Sequence, residues 1–152
     1  MSDPRQPTAL GEAFIAHADF VQRLAFDPSG MILASSACSQ RNDQSRCIQS
    51  ETRLWDVSNR AAPQPIGGPY PGHAGAANDL IFVLGGQYAA SAGCIQNQDS
   101  CLSGVILWPA APSAWMRGAC RRAGRNLTQE EWKQYLGEEP YRKTCDNWPE
   151  GK

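Results

Sequence analysis

An internal repeat of 56 residues constrains this 152-residue chain more than any other feature. Sliding the sequence by 56 positions brings His17 onto His73, Phe26 onto Phe82, Ala34-Ser35 onto Ala90-Ser91 and Cys38 onto Cys94, without a gap. Beyond those cysteines the second copy is three residues shorter, so Trp55 answers to Trp108. Such a period signals one supersecondary unit stacked on its like, each copy burying an apolar side that it cannot bury alone.

Each copy reads as three short strands with a turn and a polar, cysteine-bounded loop between them. In the first copy the strands fall at residues 20–26, 32–37 and 52–57, with Asp27-Pro28-Ser29-Gly30 as the turn. In the second they fall at residues 77–83, 88–92 and 105–108, with Gly85-Gly86 at the turn. Segments ahead of each histidine, residues 12–16 and 65–70, offer a fourth strand, which Pro63, Pro65 and Pro69 confine to an outer edge. After Pro112 the pattern changes to helix. Ser113 is the expected cap of a helix over residues 114–123 that Gly124 ends. Thr128 and Glu131 form a T-x-x-E capping box for a second helix, stopped by Gly137 and Pro140. The expected organisation is two repeats within 1–112 (12–64 and 65–112) and a helical extension over 113–152. The fold class is mainly β.

A net charge of −1 argues against a general nucleic-acid or anionic-membrane binder. No apolar stretch approaches the roughly 18 residues of a membrane span. The opening residues lack the basic start and apolar run of a secretory signal, which gives the expectation of a cytoplasmic chain. Six cysteines pull the other way, since even counts in small chains accompany disulfides and export.

Cys38 with Cys47, and Cys94 with Cys101, bracket the two polar loops. Hairpin geometry brings the ends of each loop within disulfide reach, favouring pairing inside each loop. Free thiols are the outcome in a reducing compartment. A four-cysteine zinc site is disfavoured, because structural zinc sites use gaps of roughly two to four residues. Cys120 and Cys145 flank the second helix. His17 and His73 sit at matched repeat positions, which argues for one structural job done twice. No convergent set of nucleophile, base and acid accompanies them, so the chain reads as not an enzyme and needing no cofactor or metal. Arg117, Arg121, Arg122 and Arg125 form a basic stripe whose plain reading is a solvated face near a helix C-terminus. The loops are the best binding candidates, offering Gln40, Arg41, Asn42, Asp43 and Arg46, then Gln96, Asn97, Gln98 and Asp99, to a partner.

The segments GHAGAANDLIF (72–82), LAFDPSGMILASSA (24–37) and RLWDV (53–57) resemble the WD-repeat β-propeller family. The resemblance implies a partial β-propeller of about two four-stranded blades with a small α-helical C-terminal extension. It implies a structural network through His17, Ser35 and Trp55, and again through His73, Ser91 and Trp108. The family's turn Asp has no counterpart here, because the long loop replaces that turn. The first copy carries Ala16-His17 in place of Gly-His, and the second Trp108-Pro109 in place of Trp-Asp. The tail from Trp115 to Cys145 is similar to the extension that follows the last repeat in bacterial signalling proteins pairing a propeller with a STAND-type NTPase or a caspase-like protease. That similarity favours a Cys120–Cys145 disulfide stapling the tail. No P-loop and no Cys-His protease arrangement appears in this sequence.

A closed propeller uses roughly four to eight blades. Two blades leave an apolar sheet face bare at each end, and a contiguous patch beyond about 300–600 Å² is uncommon on a monomer. Three outcomes follow: a ring of copies, completion by another chain as a split or remnant piece, or capping by the tail through Trp115, Trp132 and Tyr141. The functional expectation is a non-enzymatic interaction, scaffold or sensor module. The alternative is a regulatory subunit or detached end of a STAND-type NTPase or caspase-like signalling protein.

Overall fold

The computed structural model describes residues 6, 8–9, 12–97 and 101–151, with Asn97 described by its backbone alone. The chain divides into two compact units, one ending at Ala110 and one beginning at Ala111. Among the described residues no helix is long and apolar enough to cross a membrane.

The first unit is two antiparallel sheets. One contains β1 (Val21–Phe26), β2 (Ile32–Arg41) and β3 (Cys47–Asp56), with short strands β4 (Gln64–Pro65) and β5 (Tyr70–Pro71) both pairing with β3. The other contains β6 (Ala77–Val83), β7 (Tyr88–Asn97) and β8 (Cys101–Pro109) in that order. The repeat extends to irregularities of pairing. A bulge between Val21 and Arg23 recurs between Ala77 and Asp79, and one between Cys38 and Gln40 recurs between Cys94 and Gln96. Bulges bend and twist a strand, so matched bulges give the two sheets matched curvature.

β1 turns into β2 through Asp27, whose carboxylate accepts from Ser29 Oγ (2.6 Å), Met31 N (2.9 Å) and Ile32 N (2.8 Å). The sheets pack on one another through β1, β2 and β6. Arg23 Nε donates to the Asn78 carbonyl across the interface (2.6 Å), and the Tyr70 ring lies 5.4 Å from that of Trp108. Leu54, Ala34 and Thr52 of the first sheet and Leu80 and Ala89 of the second are buried.

Thr52 carries a defect: its Oγ1 is buried with no hydrogen-bond partner. The matching position of the second copy is Val105. An unpartnered buried hydroxyl costs about 1 kcal/mol or more, so Thr52→Val is expected to stabilise the sheet unit by about 1 kcal/mol. A chemical-denaturation midpoint that is unchanged or lower would show that the hydroxyl is satisfied.

The second unit holds α1 (Pro112–Ala123) and α2 (Gln129–Leu136). α1 starts two residues earlier than the sequence suggests. Its N-cap is Ala111, with no side-chain cap bond, so Ser113 does not cap it; Pro112 opens the helix, where its preset φ suits the first turn. Gly124, at φ 67°, ends it in the left-handed conformation. Thr128 and Glu131 make the complete capping box of α2. Trp132 and Tyr141, expected as covering side chains for a sheet, meet each other inside this unit at 5.3 Å between ring centres. The Trp132 indole donates to the Glu139 carbonyl (2.7 Å). Asn126, described below, closes the unit.

Candidate interaction site

The two histidines organise a hydrogen-bonded relay in each copy. Trp55 Nε1–H donates to Ser35 Oγ (2.8 Å), and Ser35 Oγ lies 2.7 Å from His17 Nε2. The other ring nitrogen, Nδ1, lies 2.7 Å from Glu51 Oε1. Burial works against the Glu51 carboxylate, but hydrogen bonds from Arg53 and His17 outweigh it and hold the pKa below its usual value. An ionised carboxylate only accepts, so Nδ1–H is the donor. In the neutral ring Nε2 then accepts the Ser35 proton. Each polar group in the relay is thereby satisfied, which is what makes a buried polar network favourable.

Glu51 is the member that the sequence did not disclose. The expectation was a network without a carboxylate, because the family's Asp belongs in a turn that is missing here. The carboxylate arrives instead from β3, one strand position opposite Ala37.

The second copy repeats the relay with one part removed. Trp108 Nε1–H donates to Ser91 Oγ (2.9 Å), which lies 2.9 Å from His73 Nε2. Gly104 stands where the first copy has Glu51, and His73 Nδ1 is buried without a partner. Burial lowers the His73 pKa from its ordinary value, outweighing contacts at Ser91 and Cys94 that raise it. An aromatic residue three positions ahead of each histidine completes the pattern: Phe14 lies edge-on to Trp55 at 5.0 Å, as Tyr70 packs on Trp108. The 56-residue offset also joins Phe14 to Tyr70, a correspondence available in the sequence and overlooked there.

The cysteine-bounded segments are hairpins rather than loops. β2 and β3 run on to the pair Arg41–Cys47, and β7 and β8 to Asn97–Cys101, so the strands are longer than the sequence suggests. Disulfides Cys38–Cys47 and Cys94–Cys101 clasp them, with Cα atoms 5.7 and 5.4 Å apart. A third, Cys120–Cys145, spans 5.4 Å in the tail unit. Among the described residues no group of three or more His, Cys, Asp or Glu is placed to hold a metal ion.

The predicted contact residues divide by task. Arg41 is engaged within the chain: its Nε donates to Asp19 (2.6 Å), its Nη1 to the Ser45 carbonyl (2.6 Å), and its guanidinium lies over the Phe20 ring. Asn42 shapes the turn by accepting from the backbone N–H groups of Gln44 and Arg46. Gln40, Asp43, Arg46 and Gln96 are exposed. Asn97 is placed on β7 by its backbone, and Gln98 and Asp99 lie outside the described residues. A cleft of about 580 Å³ opens between the hairpins, lined by Arg41, Arg46, Cys47, Asn78, Cys94 and Cys101 among others.

Two apolar sheet faces are open to solvent. On the first sheet Leu24 and Phe26 project beside the Phe14–Trp55 pair; on the second Ile81, Val105 and Leu107 share a face. Compared with models of known protein families and with curated proteins, the chain finds no match.

Proposed function

We propose that this chain is a non-enzymatic protein-interaction module made of two propeller-type blades and a helical tail, with its open sheet faces covered by protein in use. The observation that carries this reading is the pair of exposed apolar faces, Leu24 with Phe26 and Ile81 with Val105 and Leu107, on opposite sheets of one unit. At about 25 cal/mol per Å², covering some 500 Å² of such surface would contribute roughly 12 kcal/mol before association costs. The repeated Trp–Ser–His relay supports the propeller-type assignment, because it fixes equivalent residues of each sheet in equivalent places.

Both histidines are spent on that relay, so neither is assigned a catalytic role. The hairpin tips, with Gln40, Asp43, Arg46 and Gln96 exposed, are a second contact surface. A cytoplasmic location sits poorly with three disulfides, which persist in oxidising compartments. A second reading, a subunit completing the sensor of a separate NTPase or caspase-like protease, draws on the tail resemblance alone.

A photo-crosslinking residue placed at Leu24 or Leu107 tests the module in the cells that make it. Cross-links from these positions to a protein chain, of whatever identity, are expected. Recovery of the chain without cross-links at either face would overturn the proposal.

A further inference from the structure

The repeat allows each exposed position to be compared with its counterpart in the other copy. Leu24 is 60% exposed, whereas its counterpart Leu80 is 3% exposed. Leu107 is 54% exposed, and its counterpart Leu54 only 1%. Val105 is 66% exposed against 1% for Thr52. Each of these three contrasts runs the same way, open where the chain supplies no neighbouring sheet, while Leu33 and Trp55 beside Leu24 and Phe26 are covered within the chain by Phe14 and Ala16. Inside the chain, the face of Leu54 and Thr52 packs towards the sheet that carries Leu80 and Trp108. The open faces are therefore the same two halves, one at each end. The Ile81–Val105–Leu107 face corresponds to the first half, and the Leu24–Phe26 face to the second.

We infer that these halves bind one another between molecules, and that the occupant of each open face is a second copy of this chain, docked head to tail. The inference rests on the module reading above and names its partner. A contact between unlike faces is heterologous, so it continues from copy to copy until the rotation closes a ring. With two sheets per copy, closure at roughly four to eight blades corresponds to about two to four copies.

Two differences between the repeats define what the contact uses. Gly72 approaches the β3 edge so closely that a Cβ there would meet Ser50 backbone and side-chain atoms at 2.5–2.9 Å, and Ala16 holds the matching position. Asp79 stands where the internal interface has Arg23, whose bond to Asn78 is thus not repeated. The contact between copies is made by the apolar faces, without an added strand or that polar bond.

The test uses full-length chains carrying Leu24→Glu or Val105→Glu, both at exposed sites, with circular dichroism to verify folding and light scattering to read mass. The parent chain is expected to form a closed assembly of two to four copies. Each variant alone is expected to be monomeric, with association weakened at least about 100-fold by a charge buried on docking. Mixed one to one, the variants are expected to form a pair and stop there, because the mixture retains one good head and one good tail. A monomeric parent overturns the inference. So does a mixture of folded variants that stays monomeric, or a single variant that still pairs with itself, the mark of a contact between like faces. A monomeric parent that nevertheless cross-links at Leu24 and Leu107 to a different protein in cells sinks the second copy as partner and leaves the module standing.

Discussion

Asn126→Asp is expected to unfold the carboxy-terminal unit at neutral pH. The Asn126 side chain is 1% exposed and is the hub of that unit. Its amide nitrogen donates to the carbonyls of Cys145 (3.0 Å), Trp148 (3.0 Å) and Pro149 (2.9 Å). Its oxygen accepts from Thr144 N (3.0 Å), Thr144 Oγ1 (3.3 Å) and Cys145 N (2.8 Å). An aspartate has the same shape and would keep the second set, while turning a buried negative oxygen towards three carbonyls. Losing those donors costs about 1–3 kcal/mol per unsatisfied group, and because the Cys145 carbonyl keeps the Trp148 N–H the change amounts to roughly 2–6 kcal/mol. A unit of this size has a total stability of about 2–6 kcal/mol. Amide hydrogen exchange in α1 and α2 of the full chain gives the readout. Protection within about 1 kcal/mol of the parent would show that the hub is not what holds the unit.

The second large effect is expected at the Cys120–Cys145 disulfide. It closes 25 residues, against 9 for Cys38–Cys47 and 7 for Cys94–Cys101. Loop-closure entropy then assigns it about 3.5 kcal/mol, and about 2.6 kcal/mol to Cys38–Cys47. The hairpin bonds also clasp strands already joined by their own ladder, whereas the tail has two short helices and few buried side chains: Ala114, Asn126, Trp132 and Cys145. The paired change Cys120→Ser with Cys145→Ser should therefore abolish the tail's protected amides. Cys38→Ser with Cys47→Ser should leave β1 to β3 protected. Equal losses at the two sites would contradict the argument. Cys145 also supplies a backbone N–H and a carbonyl to Asn126, so combining the tail disulfide loss with Asn126→Asp should cost less than the two separate effects together.

What was legible in the sequence was whatever the 56-residue period touches. His17, Ser35 and Trp55 line up with His73, Ser91 and Trp108, and the structure brings each trio together through one serine hydroxyl. Thr128 and Glu131 were equally legible, since a capping box is a contact between near neighbours. The strand ends were not. Of residues 39–46, read as loop because Ser, Gln, Asn and Asp rarely favour strands, Ser39 to Arg41 extend β2 to its pairing with Cys47 while 42–46 form the turn, and a disulfide clasps the two strands. Glu51 was missed for a related reason. With the hairpin taken as a loop, no strand register was available to set its carboxylate beside His17. Asn126 was hidden differently: its partners lie 18 to 23 residues further on, and no local pattern marks such a hub.

The two hairpins differ in length by three residues, and the whole difference lies beyond the pairs Cys38–Ser50 and Cys94–Ser103. Up to those pairs the β2–β3 and β7–β8 registers agree position for position, as does the bulge in β1 and β6, with Leu33 opposite Trp55 as Ala89 is opposite Trp108. The bulge that follows each of those pairs, at Cys38/Gln40 and Cys94/Gln96, acts as a boundary between a part that must keep its count and a part that need not. Mutation can lengthen, shorten or rewrite a tip without disturbing the relay beneath it, so the two tips are free to diverge in sequence and in what they recognise while the sheets stay interchangeable.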